Sequence, residues 1–516
     1  MNEMKRLLGL MILAAVIAAG IYLFFVKKEE VKNITYSTSD VRDLKGEYSI
    51  ALDSWVGYFP FRSPVFGSLM REAGYRVKII DDSADYAGRM KMLKNGEIDF
   101  AVCTVDSYLL NGSSVHYPGA VIAVIDQSKG GDAVVAWKSR VPNIEGLKTG
   151  KNLSIAFTPA SPSEHLLKSI AAHFDIPLFI GSDKKWRVEV NGAEEAYNMF
   201  IKNEVDCAVL WEPHVTDALS DPGVVKLIGS EDVENLIVDI LIVNRTFARE
   251  KPEMVNLFLQ KYFETLNFYK SSPGRLKQDL ISNLAMPDKS VDSMLKGVRW
   301  MYYSDNTSWF GISNKKQLRE PEIVDSINSA LKILVANGDF SKSPLIEGDP
   351  YTIINSSFIN GLYGTGGYGK SEDVKTDDSL NRRFSKLPDN EWNRLAVVGS
   401  LKLRPVTFSS GTSAIDESGL AQIKEITDSI RHYPNFRILV KGHTGMKGDP
   451  EENRKLSLVR AEVVKRELEI NYGVDPDRVK AIGIGSGEPI SRLSDESDRA
   501  YDNRLKRVEL FLLMER

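Results

Sequence analysis

Leu7 to Val26 reads LLGLMILAAVIAAGIYLFFV, a run without a single charge. As a helix rising 1.5 Å per residue it spans roughly 30 Å, the thickness of a bilayer core. It has no polar face, so it cannot be a core helix packed at the edge of a soluble domain. Lys5 and Arg6 precede it, and Lys27 and Lys28 follow. Residues 1–30 are therefore expected to hold an uncleaved membrane anchor. The competing reading is a signal peptide cut near Ala18-Ala19-Gly20, which would leave an apolar start from Ile21 to Val26. Lys32, Arg42 and Lys45 add positive charge after the span. Charge alone would then hold the bulk inside, but long domains translocate largely regardless of it. The domains below place the chain as a single-pass protein facing the periplasm or cell exterior.

The remaining length, out of 516 residues, suits about three domains at roughly 150 residues each. Apolar residues are 43% and charged residues 26%, with a net charge of −4. That is a globular composition without the basic excess of a nucleic-acid binder. Two cysteines cannot build a disulfide framework or a four-thiolate metal site. The six histidines include no HExxH pair, and no P-loop or GxSxG elbow occurs. No enzyme, no metal and no cofactor is expected.

From Tyr48 onward short apolar strands alternate with helical stretches, the pattern of an α/β domain. Strands are expected at 48–52, 77–80, 100–103, 121–125, 133–137, 154–157, 187–190, 207–210 and 237–243. A helix is expected over 165–174, with Leu166, Leu167, Ile170 and Phe174 on one face. The text around Lys94-Asn95-Gly96-Glu97-Ile98-Asp99-Phe100 is echoed at Lys202-Asn203-Glu204-Val205-Asp206-Cys207. Two such units suggest two lobes with a cleft at the carboxyl ends of their strands. Trp55, Gly57, Tyr58, Thr104 and Asp106 would lie there in the first lobe. Ser161, Ser163, Trp211 and Glu212 would lie there in the second. Ser161, Pro162 and Glu164 form a capped helix start that could hold an anion, although the charge of Glu164 competes there. Cys103 and Cys207 sit inside apolar strands and read as buried free thiols.

These pieces carry a resemblance. Trp55-Val56-Gly57-Tyr58, Gly96-Glu97-Ile98-Asp99-Phe100-Ala101, Gly130-Gly131-Asp132, Ile144-Glu145-Gly146-Leu147-Lys148, Ser161-Pro162-Ser163 and the run from Val205 to Pro213 resemble the periplasmic solute-binding proteins of ABC importers, in the sulfonate, taurine and nitrate branch. The resemblance covers residues 47–345. It implies a Venus-flytrap fold closing on a small anionic or zwitterionic solute, with an ABC permease as partner.

Glycines from Gly361 to Gly369 and the polar SEDVKTDDS stretch mark a linker over 361–390. A βαβαβ pattern follows from Leu401. One helix shows Leu420, Ile423, Ile426 and Ile430 on a face. A second, 453–468, is read with Leu456, Val459, Val463 and Val464 inward. Strands are expected at 436–440, 479–484 and 507–513. Phe408-Ser409-Ser410-Gly411, Gly442-His443-Thr444, Asn453, Leu456-Ser457, Arg460-Ala461, Gly483-Ile484-Gly485 and Arg507-Val508-Glu509-Leu510 resemble the OmpA-like domain that holds peptidoglycan, over residues 395–516. The resemblance implies wall contacts at Thr444, Asn453, Ser457, Arg460 and Arg507. In that family an aspartate follows Gly-His-Thr and, with the helix arginine, clamps the amino-acid end of a wall peptide. Here that position is Gly445, which weakens the expected clamp. Asp449 is a candidate substitute, and Gly445→Asp is expected to strengthen binding.

The whole reads as an α/β chain: an N-terminal transmembrane helix, a two-lobed solute-binding domain and a smaller wall-associating domain. The reading from another class is a structural or assembly protein of the envelope that uses a degenerate binding-protein fold for protein contacts.

Overall fold

The computed structural model describes residues 34–37, 44–150, 152–174, 176–180, 185–284, 288–312, 320–362, 382–404, 406–408 and 413–515. The run from Leu7 to Val26 and most of the expected linker, 363–381, lie outside them. Among the described residues no helix is long and apolar enough to cross a membrane.

The first lobe is built on a seven-stranded sheet. In spatial order it runs β1 (Ile34–Ser37), β3 (Tyr75–Asp81), β2 (Gly46–Leu52), β4 (Phe100–Thr104), β11 (Val238–Asn244), β5 (Gly119–Ser128) and β12 (Val298–Trp300). β4, β5 and β11 are buried along their whole length, which is why they read as continuous apolar runs. The second lobe has five strands in the order β10 (Val224–Gly229), β6 (Asp132–Trp137), β9 (Cys207–Trp211), β7 (Ile155–Phe157) and β8 (Arg187–Glu189). All nine expected strands are present. The short strands β1, β10 and β12 were not expected.

The chain crosses between the lobes twice, from β5 to β6 and from β10 to β11. These crossings form the hinge. Ser230 Oγ ties it, lying 2.8 Å from Ser128 Oγ and accepting from Gly130 N at 2.9 Å. The helix Glu322–Ala336 spans both lobes: Ile323, Ile327 and Leu334 pack into the first core and Ile333 into the second. Lys168 pairs with Asp339 at 2.7 Å. Thr216 Oγ1 lies 2.6 Å from Ser293 Oγ. The lobes are thus closed on one another, and Cys103 and Cys207 are buried free thiols within them.

The C-terminal domain has a four-stranded sheet, β13 (Ala396–Ser400), β16 (Val508–Met514), β14 (Arg437–His443) and β15 (Val479–Gly485). Helices Glu417–Arg431 and Pro450–Tyr472 cover it. Two expectations fail here. Leu420 is exposed, while Ile423, Ile426 and Ile430 are buried as expected. In the longer helix Leu456 and Val459 are exposed and Val463 is half-buried. The inward stripe is Ser457, Ala461, Val464 and Leu468. Gly442 and Gly483 explain the shift, because an added Cβ would meet the backbone of Ser457 and Arg454 at 2.0 and 2.4 Å. The helix therefore lies almost on the sheet, and only small side chains fit beneath its first turns.

This domain is seated on the second lobe. Phe174 and Leu401 form a β-bridge. Lys402 N donates to His173 O at 2.7 Å, and Glu234 N to His432 O at 2.7 Å. Ser400 N donates to Glu145 Oε1 at 2.6 Å. The His173 and His432 rings stack 5.2 Å apart, and His173 Nδ1 lies 2.6 Å from the Tyr433 hydroxyl. Apolar residues of the lobe and the domain form one continuous core.

Candidate functional site

The expected cleft residues gather where the carboxyl ends of the two sheets meet, and lobe closure has buried most of them. Tyr58, Thr104, Asp106, Asp132, Ser161, Ser163 and Glu212 are each less than a tenth exposed. Trp55 and Trp211 are half-buried.

On the first-lobe side, Trp55 Nε1 donates to Asp126 Oδ1 at 3.1 Å, and the Tyr58 hydroxyl donates to Asp239. Asp126 and Asp239 are direct cross-strand partners on β5 and β11. Burial pushes the Asp126 carboxyl up to about 7, the Trp55 indole opposing it. Burial and the neighbouring Asp126 push Asp239 well above the carboxylate range. Two buried carboxyls side by side cannot both ionise cheaply, so the pair holds a proton. Gly57 is needed at this spot, because a Cβ there would lie 2.0 Å from Asp126 Oδ2 and 2.4 Å from Trp55 Nε1. Gly57→Ala is expected to force these groups apart and to cost about 1–3 kcal/mol. Thermal unfolding, with tryptophan fluorescence reporting the Trp55 environment, checks this.

Deeper on this side Arg89 is fully buried. It donates to Asp82 Oδ2 at 2.7 Å and to Asp53 Oδ2 at 3.1 Å. Two carboxylates therefore already answer its charge.

On the second-lobe side, Asp132 Oδ2 accepts from Ser128 Oγ at 2.6 Å. Burial, and after it Asp106 and Glu212, push its carboxyl up to about 7 against the Ser128 hydrogen bond. Glu212 Oε1 accepts from Thr216 Oγ1 at 2.8 Å. Ser161 caps its own helix, accepting from Ser163 N at 3.2 Å. Glu164 accepts from Ala160 N at 2.7 Å and pairs with Arg187 at 2.8 Å. The helix start expected to hold an anion is thus served by the protein's own groups. Thr104 Oγ1 donates to Ser107 Oγ at 2.9 Å. Several polar atoms remain without partners: Asp106 Oδ1, Asp126 Oδ2, Ser163 Oγ and both ring nitrogens of His165. Asp126, Asp239 and His165 were not foreseen. An acid alone in the apolar run Ile237-Val238-Asp239-Ile240-Leu241 was the signal for Asp239.

A cavity of about 1570 Å³ opens elsewhere, between Gln127, Arg299, Lys332 and the C-terminal residues Arg431 and Asn435. It contains none of the cleft residues, and its lining carries both signs of charge.

In the C-terminal domain the expected wall residues divide in two. Asn453 Nδ2 donates to Lys447 O at 3.0 Å, and Ser457 Oγ bridges Arg454 O and Gly485 N. Arg507 pairs with Glu509 at 2.7 Å. Those three have partners inside the domain. Among the described residues Arg460 has no ion pair and its Nε finds no acceptor, and the guanidinium lies 5.2 Å over the Phe408 ring. Thr444 Oγ1 is also without a partner. Asp449 is the N-cap of the helix Pro450–Tyr472, its Oδ1 accepting from Glu451 N and Glu452 N. The space beside Gly445 is filled instead by Asp502, whose Oδ1 lies 2.3 Å from where a Cβ would stand. His443, Glu488 and Glu509 bring possible metal ligands within 4.8 Å of one another. Lys441 at 3.1 Å and Arg507 at 2.7 Å already neutralise the two carboxylates.

Residues 407–503 match the OmpA family. The OmpA domain is similar to outer membrane porin F of Pseudomonas aeruginosa, 35% identical over 139 residues, which are 25% of this chain and 39% of that protein. The probable lipoprotein YiaD of Escherichia coli is 30% identical over 101 residues, 20% of this chain and 46% of that one. The peptidoglycan-binding protein ArfA of Mycobacterium tuberculosis is 26% identical over 113 residues, 22% of this chain and 33% of that one. The chain spans less than half the length of each of these relatives. Among solved structures, the periplasmic aliphatic sulphonate binding protein SsuA from Escherichia coli aligns with a TM-score of 0.46 at 14% identity, over 61% of this chain and 99% of its own. The alkanesulfonate-binding protein SsuA from Xanthomonas axonopodis pv. citri aligns at 0.44 and 13%, over 56% and 93%.

Proposed function

We propose that this chain is a cell-envelope protein that binds a small solute between its two lobes and associates with the cell wall through its OmpA domain. It acts by binding, not catalysis. The observation that carries the solute reading is the set of buried, unpartnered polar atoms on Asp106, Ser163 and His165, where the strand ends of both lobes meet. Each such atom costs roughly 1–3 kcal/mol if left unsatisfied. Side chains that only filled a degenerate cleft would be apolar or paired. The run from Leu7 to Val26 serves in this reading as the membrane anchor, and uptake through an ABC permease is the use that its family resemblance favours.

For the wall, the reading rests on Arg460 Nε and Thr444 Oγ1, which have no partner among the described residues, and on Asp502, which stands against Gly445 where the family's acid would be. Asp502 also pairs with Lys506 at 2.6 Å, which an incoming ammonium would displace. In this reading the expectation for Gly445→Asp changes. A carboxylate added there would collide with and repel Asp502, so the variant is expected to gain nothing. Arg460→Ala is expected to weaken binding at least 30-fold, since losing one member of a charged pair costs about 2–5 kcal/mol. Asp502→Ala is expected to weaken it several-fold. Pulldown of the full chain with purified sacculi tests this. Binding unchanged by both Arg460→Ala and Asp502→Ala would remove this surface from the reading.

A further inference from the structure

Building on the solute-binding reading above, we propose that the cleft takes a small organic cation, an amine that carries its proton at neutral pH. Asp106 is 1% exposed and its Oδ1 has no partner. Ser163 is 0% exposed with a free Oγ, and His165 is 1% exposed with both ring nitrogens free. Burial keeps His165 neutral, with Asp106 the chief group pulling the other way. A neutral imidazole has an acceptor nitrogen. The helices that carry them, Val105–Ser113 and Pro162–His173, pack against each other, and the carboxylate and the imidazole each offer an acceptor to an ammonium's donors.

The charged groups of the cleft without an ion-pair partner are acids. Asp106 and Glu212 both act on Asp132. Among the described residues, none of Asp106, Asp126, Asp132 and Glu212 makes an ion pair with Lys or Arg. The nearby cations are committed, Arg89 to Asp82 and Asp53, and Arg187 and Lys168 to Glu164. A sulfonate, nitrate or phosphate entering here would meet unmatched carboxylates, in a site whose helix terminus is already capped. Half-buried Trp55 and Trp211 add ring faces suited to a cation.

The test is isothermal titration and thermal shift of the full chain with ethanolamine and putrescine, against taurine and ethanesulfonate. The amines are expected to bind and raise the melting temperature. Asp106→Asn is expected to lower their affinity at least 30-fold, and Ser163→Ala, a change small enough to leave the fold intact, several-fold. Binding by the sulfonates and not the amines would overturn the cation assignment while leaving the solute-binding reading standing. No response to either class would overturn both. Amine binding unchanged by Ser163→Ala and Asp106→Asn would place the ligand elsewhere and overturn the assignment of these residues.

Discussion

Acidification from pH 7 to 5 is expected to loosen the OmpA domain from the second lobe. Burial holds His173 at about 3, with His432 and His165 adding to the effect. Burial also holds His432 at about 4, with Lys332 and Arg431 adding and Asp428 opposing. A free histidine titrates near 6.5. The released form therefore takes up protons before the docked form does. Docking stability is complete above pH 6.5 and falls as the pH drops toward 4 and then 3. At pH 5 each ring withdraws roughly 2 kcal/mol, using 1.36 kcal/mol per unit. Protonation also sets two like charges face to face in the stacked pair. The cleft responds in the opposite sense. Asp126 and Asp132, both raised to about 7, weaken the lobes as pH rises from about 4 to 7, so acid relieves them. Small-angle scattering at pH 7 and 5 should show the C-terminal domain separating while the lobes stay folded. His173→Gln with His432→Gln should flatten the response. An envelope unchanged between the two pH values, with both histidines present, would sink the idea.

Arg89→Met is expected to cost about 3–5 kcal/mol, the usual penalty for breaking a buried ion pair from one side. The change leaves Asp82 and Asp53 facing each other and takes a donor from Val102 O. Urea unfolding measures it. Combining it with Asp82→Asn should recover part of the loss, because one stranded charge disappears. A cost below about 1 kcal/mol for Arg89→Met would mean that water reaches the pair.

The strands of both lobes were legible because buried strands of an α/β sheet read as short apolar runs between turns. β12, three residues long, was too brief to carry a period. Leu456 and Val459 misled because apolar character was taken as the inward signal. The close approach of Gly442 and Gly483 admits only Ser457 and Ala461. Nine cleft positions were expected from strand ends, a rule about where sheets stop, and Asp132 from the family resemblance. The acidity of the cleft was hidden because Asp126, Asp132 and Asp239 come from different strands and meet only in the fold. Asp502 was hidden for the same reason: it reaches Gly445 from a helix more than fifty residues further on.

The chain enters through β1 on the first lobe, while the OmpA domain is fastened by backbone hydrogen bonds to the second. The amino-terminal strand thus belongs to the first lobe, while the OmpA domain is held by the second lobe and by the β10–β11 crossing at Glu234. A pull between the amino-terminal end and a carboxyl-terminal domain held elsewhere would therefore load the contacts between the lobes. If the cleft binds a solute as proposed, binding and mechanical load would be reciprocal variables: whatever the molecule adds to the contacts between the lobes, a load on those contacts takes from its affinity, by the same coupling free energy.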